Sequence, residues 1–136
     1  MCGFLGKISS VGFSTEDLHE PNKNILCRGP DNTQTLQFTE ENIFCSLIFN
    51  RLSILDLSET ANQPMKSLHS GSIIMFNGEI YNHQELRKNL ESRGIDFTTS
   101  HSDTEVVLHG LDLEGINFTS KLRGQFSIFY YDNNEK

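Results

Sequence analysis

Residues 72–94 read SIIMFNGEIYNHQELRKNLESRG and hold two predicted elements in succession. The run 72–81 is rich in Ile, Phe and Tyr, which favours a β-strand. A helix is predicted over 83–93, because Asn82 can cap its start and Glu85 completes a capping box. A strand that leads directly into an amphipathic helix predicts a domain of mixed α and β structure.

The rest of the chain supplies further elements of both kinds. Composition predicts three more strands, at 2–9, 43–55 and 125–132, which makes four. Two more helices are predicted at 15–26 and 103–112, the second with a capping box of Ser102 and Glu105. Gly, Pro, Asn and Ser mark loops at 27–34, 58–71 and 112–120. The irregular spacing argues against a βαβ repeat, so we expect a layered α+β or α/β domain.

Length and charge limit the class of the protein. The 136 residues fit one domain, covering 1–136. Against 18 Asp and Glu stand 11 Lys and Arg, and this net charge of −7 argues against nucleic acid or an anionic membrane as a partner. No signal-peptide pattern opens the chain and no apolar run is long enough for a membrane span. The sequence therefore predicts a cytoplasmic protein.

The three cysteines predict neither disulfides nor a metal site. Cys2, Cys27 and Cys45 are odd in number and lack CxxC spacing. Position 2 is special in one respect: if Met1 is removed, Cys2 carries both a thiol and an α-amine of near-neutral pKa. Such a residue supplies a nucleophile and its base together. From this residue alone, a buried strand cysteine is the other interpretation.

Six motifs occur in one order along the chain. They are MCGFLG at 1–6, CRGPD at 27–31, NRLSILD at 50–56, FNGEIYN at 76–82, SDTEVV at 102–107 and LRGQFSIFYYD at 122–132. Together they closely resemble the glutaminase domain of asparagine synthetase, a class II glutamine amidotransferase. NGEIYN, with RLSI before it and SDTEV after it, is closer to that branch than to the sugar-phosphate or purine amidotransferases. The resemblance implies the N-terminal-nucleophile hydrolase fold, a four-layer αββα sandwich with the terminal cysteine at its catalytic edge.

The resemblance also implies catalytic roles. Cys2 matches the nucleophile that attacks the side-chain amide carbon of glutamine. Asn77 and Gly78 match the oxyanion hole, through the Asn side chain and the Gly backbone N–H. Taken alone, Asn-Gly would equally indicate a hairpin turn. Removal of Met1 is expected, because the mechanism needs a free amine on Cys2.

Substrate-binding residues follow in the same way. Arg51 matches the residue that holds the α-carboxylate of glutamine, and Asp103 and Glu79 match those that receive its α-ammonium. The backbone of residues 52–55 is expected to line the pocket, and Ile54 is expected to be a core residue more than a substrate contact; these residues are Leu52, Ser53, Ile54 and Leu55. Arg28 to Asp31 resemble a turn that supports the site.

The implied function is hydrolysis of glutamine to glutamate and ammonia, with no metal or organic cofactor in this domain. The ammonia would pass to an asparagine-synthetase-like domain or subunit, to which ATP and magnesium would belong. Two alternatives stay open: an amidotransferase with another ammonia acceptor, and a non-catalytic glutamine-binding or interaction module.

Two features depart from the family pattern. Phe49 and Cys27 stand where members often have His, for which we expect altered packing before lost catalysis. The chain ends DNNEK, a hairpin-like turn, where relatives continue through further strands. We therefore expect a domain that is incomplete at its C-terminus. The sequence leaves open whether the short form is natural and whether a homodimer forms.

Overall fold

The computed structural model describes residues 2–53 and 59–133. Within them lie nine regular elements: β1 (Gly3–Ser9), α1 (His19–Lys23), β2 (Asn32–Glu40), β3 (Ile43–Arg51), β4 (Met65–Lys66), β5 (Ile73–Ile80), α2 (His83–Ser92), α3 (Asp103–Glu114) and β6 (Gly124–Tyr131). Short 3₁₀ helices are found at Thr15–Leu18, Leu26–Arg28, Glu59–Ala61 and Gly115–Lys121. The chain divides into two compact units, residues 1–53 and 54–136.

The first unit is built on an antiparallel sheet of order β1-β3-β2. Strand β3 lies at its centre, where Leu47, Ile48 and Phe49 are buried, and Phe49 stacks on Phe4 of β1. Gly3 is paired with Asn50. This register brings the residue before β1 next to the residues that follow β3.

The second unit holds an antiparallel sheet of order β4-β5-β6 with α2 and α3. Its apolar core joins β4, β5, both helices and the last 3₁₀ helix; the members are Met65, Ile74, Phe76, Ile80, Leu86, Leu90, Val106, Val107, Leu108, Leu111 and Phe118. The β5–β6 ladder runs without interruption from Ile73↔Tyr131 to Ile80↔Gly124. The described part of the chain has no helix whose length and apolar character would suit a membrane crossing.

The mixture of helices and strands confirms the predicted α and β content. The strands predicted near 2–9, 43–55, 72–81 and 125–132 correspond to β1, β3, β5 and β6, and the helices predicted over 83–93 and 103–112 to α2 and α3. The four-layer αββα stacking stays a prediction. Of the C-terminal turn, residues 134–136 lie outside the described residues.

The helix predicted over 15–26 is wrong. The segment forms a 3₁₀ turn, a five-residue α1 and a second 3₁₀ turn. Pro21 explains the break, because proline has no N–H to donate and its ring clashes with the carbonyl four residues earlier, here that of Asp17. Proline is tolerated only in the first turn of a helix, which is where Pro21 lies in α1.

The predicted number of four strands is also wrong, because the described residues contain six. β2 reads NTQTLQFTE, and it escaped prediction because only Leu36 and Phe38 are apolar. Its pairing with β3 over nine residues makes it a strand. The two residues of β4 fall inside a predicted loop and pair with Ile73 and Ile74. Both strands are defined by their partners more than by their own composition.

The predicted caps of α2 and α3 need correction. The Asn82 side chain makes no capping hydrogen bond; its Nδ2 donates to the Lys121 carbonyl and its Oδ1 accepts from the Arg123 N–H. Asn82 therefore connects the start of α2 to the segment that leads into β6. Ser102 does cap α3, with its Oγ accepting from the Glu105 N–H. The Glu105 carboxylate, however, bonds to other groups and does not close the box.

Candidate active site

The thiol of Cys2 lies against the backbone of Leu52. The Leu52 N–H donates to the sulfur with an N–S distance of 3.3 Å, and the thiol lies 3.7 Å from the Leu52 carbonyl oxygen. The contact follows from the pairing of β1 with β3, because Cys2 precedes β1 and Leu52 follows β3.

The RGPD segment supports this contact from the side. Arg28 Nε donates to the Cys2 carbonyl oxygen at 3.1 Å. At Gly29 the chain passes so close to β3 that a Cβ would lie 2.1 Å from the Asn50 carbonyl oxygen. A residue without a Cβ is required at such an approach. These contacts agree with the structural role predicted for the segment.

Asp31 fixes the residues around Leu52. Its N–H donates to the Arg51 carbonyl at 3.0 Å, and its Oδ2 accepts from the Ser53 N–H at 2.8 Å. Arg51 is buried, at 8% exposure. Cys2, Arg51, Leu52 and Ser53 are thus brought together in the first unit, whereas Ile54 and Leu55 lie outside the described residues, as does Met1.

In the second unit, Asn77 and Gly78 lie within β5 and not in a hairpin turn. They pair with Ser127 and Phe126 of β6. A Cβ on Gly78 would lie 2.1 Å from the Gln125 carbonyl oxygen, and φ at Gly78 is +156°. Glycine therefore allows the close approach of β6 at this point. The Asn77 Oδ1 atom is buried and has no hydrogen-bond partner among the described residues.

The direction of the Gly78 N–H follows from its neighbours. In an antiparallel strand the N–H groups of alternate residues point to the same side. The Phe76 N–H donates to Gln63 Oε1 and the Ile80 N–H donates to Asp103 Oδ2, so both face away from β6. Because the ladder is uninterrupted, the Gly78 N–H faces the same side, between these two bonds. A backbone donor so placed is suited to an oxyanion.

Asp103 and Glu79 differ in their surroundings. Glu79 is exposed on β5, whereas Asp103 is 6% exposed at the first turn of α3. Burial raises the pKa of Asp103 above its ordinary value of 3.8, although the Ile80 N–H and the nearby His83 oppose the shift. The bond to Ile80 joins Asp103 to the end of the NGEI segment, so the structure brings these two predicted motifs together.

Glu105 holds the loop before α3 in place. Its carboxylate accepts from the N–H groups of Thr98 and Thr99, at 2.6 and 2.8 Å, and from the Thr99 hydroxyl. Its Oε1 also lies 3.5 Å from His109 Nε2. Burial alone would raise the pKa of Glu105, but the bonds from His109, Thr99 and Thr98 lower it to about 2. The sequence predicted for Glu105 only a cap, since no local pattern shows which loop atoms a helix side chain will meet.

The other two thiols have different surroundings. Cys45 is buried in β3 and burial raises the pKa of its thiol to about 11. Cys27 is exposed. Across residues 2–53 and 59–133, no group of three or more His, Cys, Asp or Glu side chains could hold a metal ion.

The sequence profile of the glutamine amidotransferase domain matches the chain over residues 1–136. The chain therefore belongs to the glutamine amidotransferase domain family.

Individual proteins similar to the chain carry more specific names than the family. The chain is 37% identical over 140 residues to glutamine-hydrolyzing asparagine synthetase 1 of Bacillus subtilis strain 168, covering 99% of the chain and 21% of the relative. Asparagine synthetase 2 of the same strain is 34% identical, with 99% and 18% covered. A putative asparagine synthetase 2 of Methanocaldococcus jannaschii is 33% identical, with 97% and 28% covered. The chain thus spans between 18% and 28% of the length of these relatives.

Proposed function

We propose that the chain hydrolyses glutamine to glutamate and ammonia, with Cys2 as the nucleophile. The observation that carries the proposal is the contact of the Cys2 sulfur with the Leu52 N–H at 3.3 Å, directly beside buried Arg51. Arg51, the residue assigned to the substrate carboxylate, directly precedes Leu52 in the chain. Membership of the glutamine amidotransferase family supports the same chemistry.

The reaction proceeds in two halves. The Cys2 thiolate forms a C–S bond to the side-chain amide carbon, and the carbonyl electrons move onto oxygen. Cleavage of the C–N bond restores the carbonyl, and the leaving nitrogen takes a proton from the α-ammonium of Cys2 and departs as ammonia. Water then attacks the thioester, which yields glutamate and returns the thiol. The scheme requires removal of Met1.

The negative charge of the tetrahedral intermediate needs fixed donors. The Asn77 side-chain amide and the Gly78 N–H fill this role. Support comes from the direction of the Gly78 N–H, away from β6. Donors fixed before the reaction stabilise the transition state without reorganisation.

Glutamine is recognised at its two charged ends. Arg51 binds the α-carboxylate, for which a planar guanidinium offers a two-point contact, and the backbone of Leu52 and Ser53 lines the side-chain path. Asp103 binds the α-ammonium, with Glu79 beside it. Burial of the Asp103 carboxylate supports this role, because a cationic ligand would relieve the cost of its desolvation.

The ammonia passes to a synthetase domain or subunit, where ATP and magnesium would act. The names of the relatives, glutamine-hydrolyzing asparagine synthetases, support this acceptor. In this proposal the two sheets and the helices form the αββα sandwich of the N-terminal-nucleophile hydrolases.

The test is ammonia and glutamate release from glutamine by protein of verified amino terminus. We expect turnover that is lost in Cys2→Ser and kept in Cys27→Ser. A Cys2→Ser variant with wild-type turnover would refute the assigned nucleophile. A folded protein that binds glutamine and never hydrolyses it would indicate the binding module instead.

A further inference from the structure

The Gln63 side chain continues the β4 edge of the second sheet. β4 pairs with Ile73 and Ile74 of β5, so its backbone pairing with β5 stops before Phe76. There, Gln63 Oε1 accepts from the Phe76 N–H at 2.6 Å, and Gln63 Nε2 donates to the Phe76 carbonyl at 3.2 Å. A side-chain amide thus exchanges both hydrogen bonds with one strand residue, as a paired strand would.

The same amide also reaches α3. Gln63 Nε2 donates a second bond to Thr104 Oγ1 at 3.2 Å. Phe76 directly precedes Asn77, and Thr104 directly follows Asp103. One buried group, 6% exposed, therefore contacts the neighbours of both the oxyanion donors and the ammonium-binding carboxylate.

The bonds of Gln63 and Asp103 frame the Gly78 N–H. On the side of β5 that faces away from β6, Gln63 bonds to Phe76, two residues before Gly78. Asp103 bonds on the same side to Ile80, two residues after Gly78. A strand fixed on both sides of a donor cannot tilt that donor freely. An oxyanion donor is sensitive to such motion, because its bond works only over a narrow range of distances.

We propose that Gln63 is a positioning residue, whose amide holds the oxyanion donors of β5 and Asp103 of α3 in one fixed relation. The inference rests on the proposed glutaminase function. Gln63 itself contacts no substrate atom in this proposal. The three hydrogen bonds of Gln63 use both N–H donors and the oxygen acceptor of its side-chain amide. A methionine of similar length would fill the space and restore none of them.

The test compares two variants in steady-state glutaminase kinetics. Gln63→Met releases both β5 and α3, so we expect kcat to fall about ten- to a hundredfold and KM to rise. Thr104→Val removes only the hydroxyl that accepts from Gln63 and leaves the Phe76 bonds intact. It should raise KM for glutamine while kcat stays near the wild-type value. This split between the two variants is the signature of positioning.

Two controls separate positioning from general loss of stability. Gln37→Met removes another amide bond, Gln37 Nε2 to Ser46 Oγ in the first unit, and should leave kcat and KM unchanged. Leu90→Ala opens the core at a residue with 0% exposure, and it should lower Tm without the kinetic split.

The outcomes are distinct. Wild-type kcat and KM in folded Gln63→Met overturn the inference, and so does a Leu90→Ala variant that loses kcat as Gln63→Met does. If Gln63→Met does not fold, KM of Thr104→Val decides: an unchanged value overturns the inference. Wild-type protein without any glutamine turnover overturns the proposed function and this inference with it.

Discussion

Among single residues, the three cysteines differ in what should make them react. Cys45 is buried with a thiol pKa of about 11, so almost none of it is thiolate at neutral pH. Cys27 is exposed, and Cys2 combines partial burial with a backbone donor. We expect iodoacetamide to modify Cys27, and the diazoketone analogue of glutamine to modify Cys2 alone. Peptide mapping of both reactions checks this, and equal labelling of Cys27 by the analogue would contradict it.

In the proposed site, the charge of Asp103 would serve substrate binding at the expense of stability. Its folded-state pKa is raised, so its contribution to stability is present below pH 3.8 and is lost as pH rises through the folded pKa. At neutral pH, Asp103→Asn should therefore keep or increase the free energy of unfolding, because an amide oxygen can still accept from Ile80. KM for glutamine should rise roughly ten- to a hundredfold, since a charged contact is lost.

Denaturant unfolding at pH 7 and steady-state kinetics measure these two quantities for Asp103→Asn. A destabilised variant with unchanged KM would show that Asp103 serves the fold and not the substrate.

Glu105, two residues along α3, should behave in the opposite way. Its pKa is lowered from 4.5 to about 2, so its stabilising effect is present above pH 4.5 and is lost as pH falls toward 2. Glu105→Gln should lower the free energy of unfolding by roughly 1 to 3 kcal/mol at neutral pH. The gap to the wild type should close as pH approaches 2. Unfolding curves across pH check this; a gap independent of pH would contradict the carboxylate's role.

At the level of elements, the pairing of β5 with β6 depends on Gly78. In Gly78→Ala the new methyl would meet the Gln125 carbonyl and the Phe126 backbone, at 2.1 and 2.6 Å. We expect β6 to be forced away, Tm to fall and kcat to drop because the Gly78 N–H shifts. Gly94→Ala is the matched control: φ is +86° but nothing lies within 4 Å, so its cost should be about 1 kcal/mol with normal kcat.

Thermal unfolding and glutaminase assays of these two variants give the comparison. Equal effects of Gly78→Ala and Gly94→Ala on Tm and kcat would mean that positive φ, and not the close strand approach, is what Gly78 provides.

The elements that the sequence predicted are those with strong local signals. β5 and α2 could be placed from aromatic and β-branched composition and from helix periodicity. β2 could not, because its composition is polar and the pairing with β3 defines it. Asn82 was predicted as a cap, yet its side chain bonds the backbone near β6. A local motif cannot reveal which distant backbone groups compete for the same side chain.

For the molecule as a whole, motif order carried more information than any local pattern. Membership in the glutamine amidotransferase family confirms the predicted resemblance. The structure adds contacts that the sequence could not supply, such as those of Cys2 with Leu52 and of Gln63 with Phe76 and Thr104. These contacts join residues far apart in sequence, which no local pattern can predict.

Trapping the covalent intermediate is the most direct test of Cys2 as the terminal nucleophile. Protein that is turning over glutamine would be quenched in acid and mapped by mass spectrometry. We expect an amino-terminal peptide that begins at Cys2, has a free α-amine and carries a γ-glutamyl group on its sulfur. Active protein that retains Met1, or whose γ-glutamyl group lies on another residue, would contradict it.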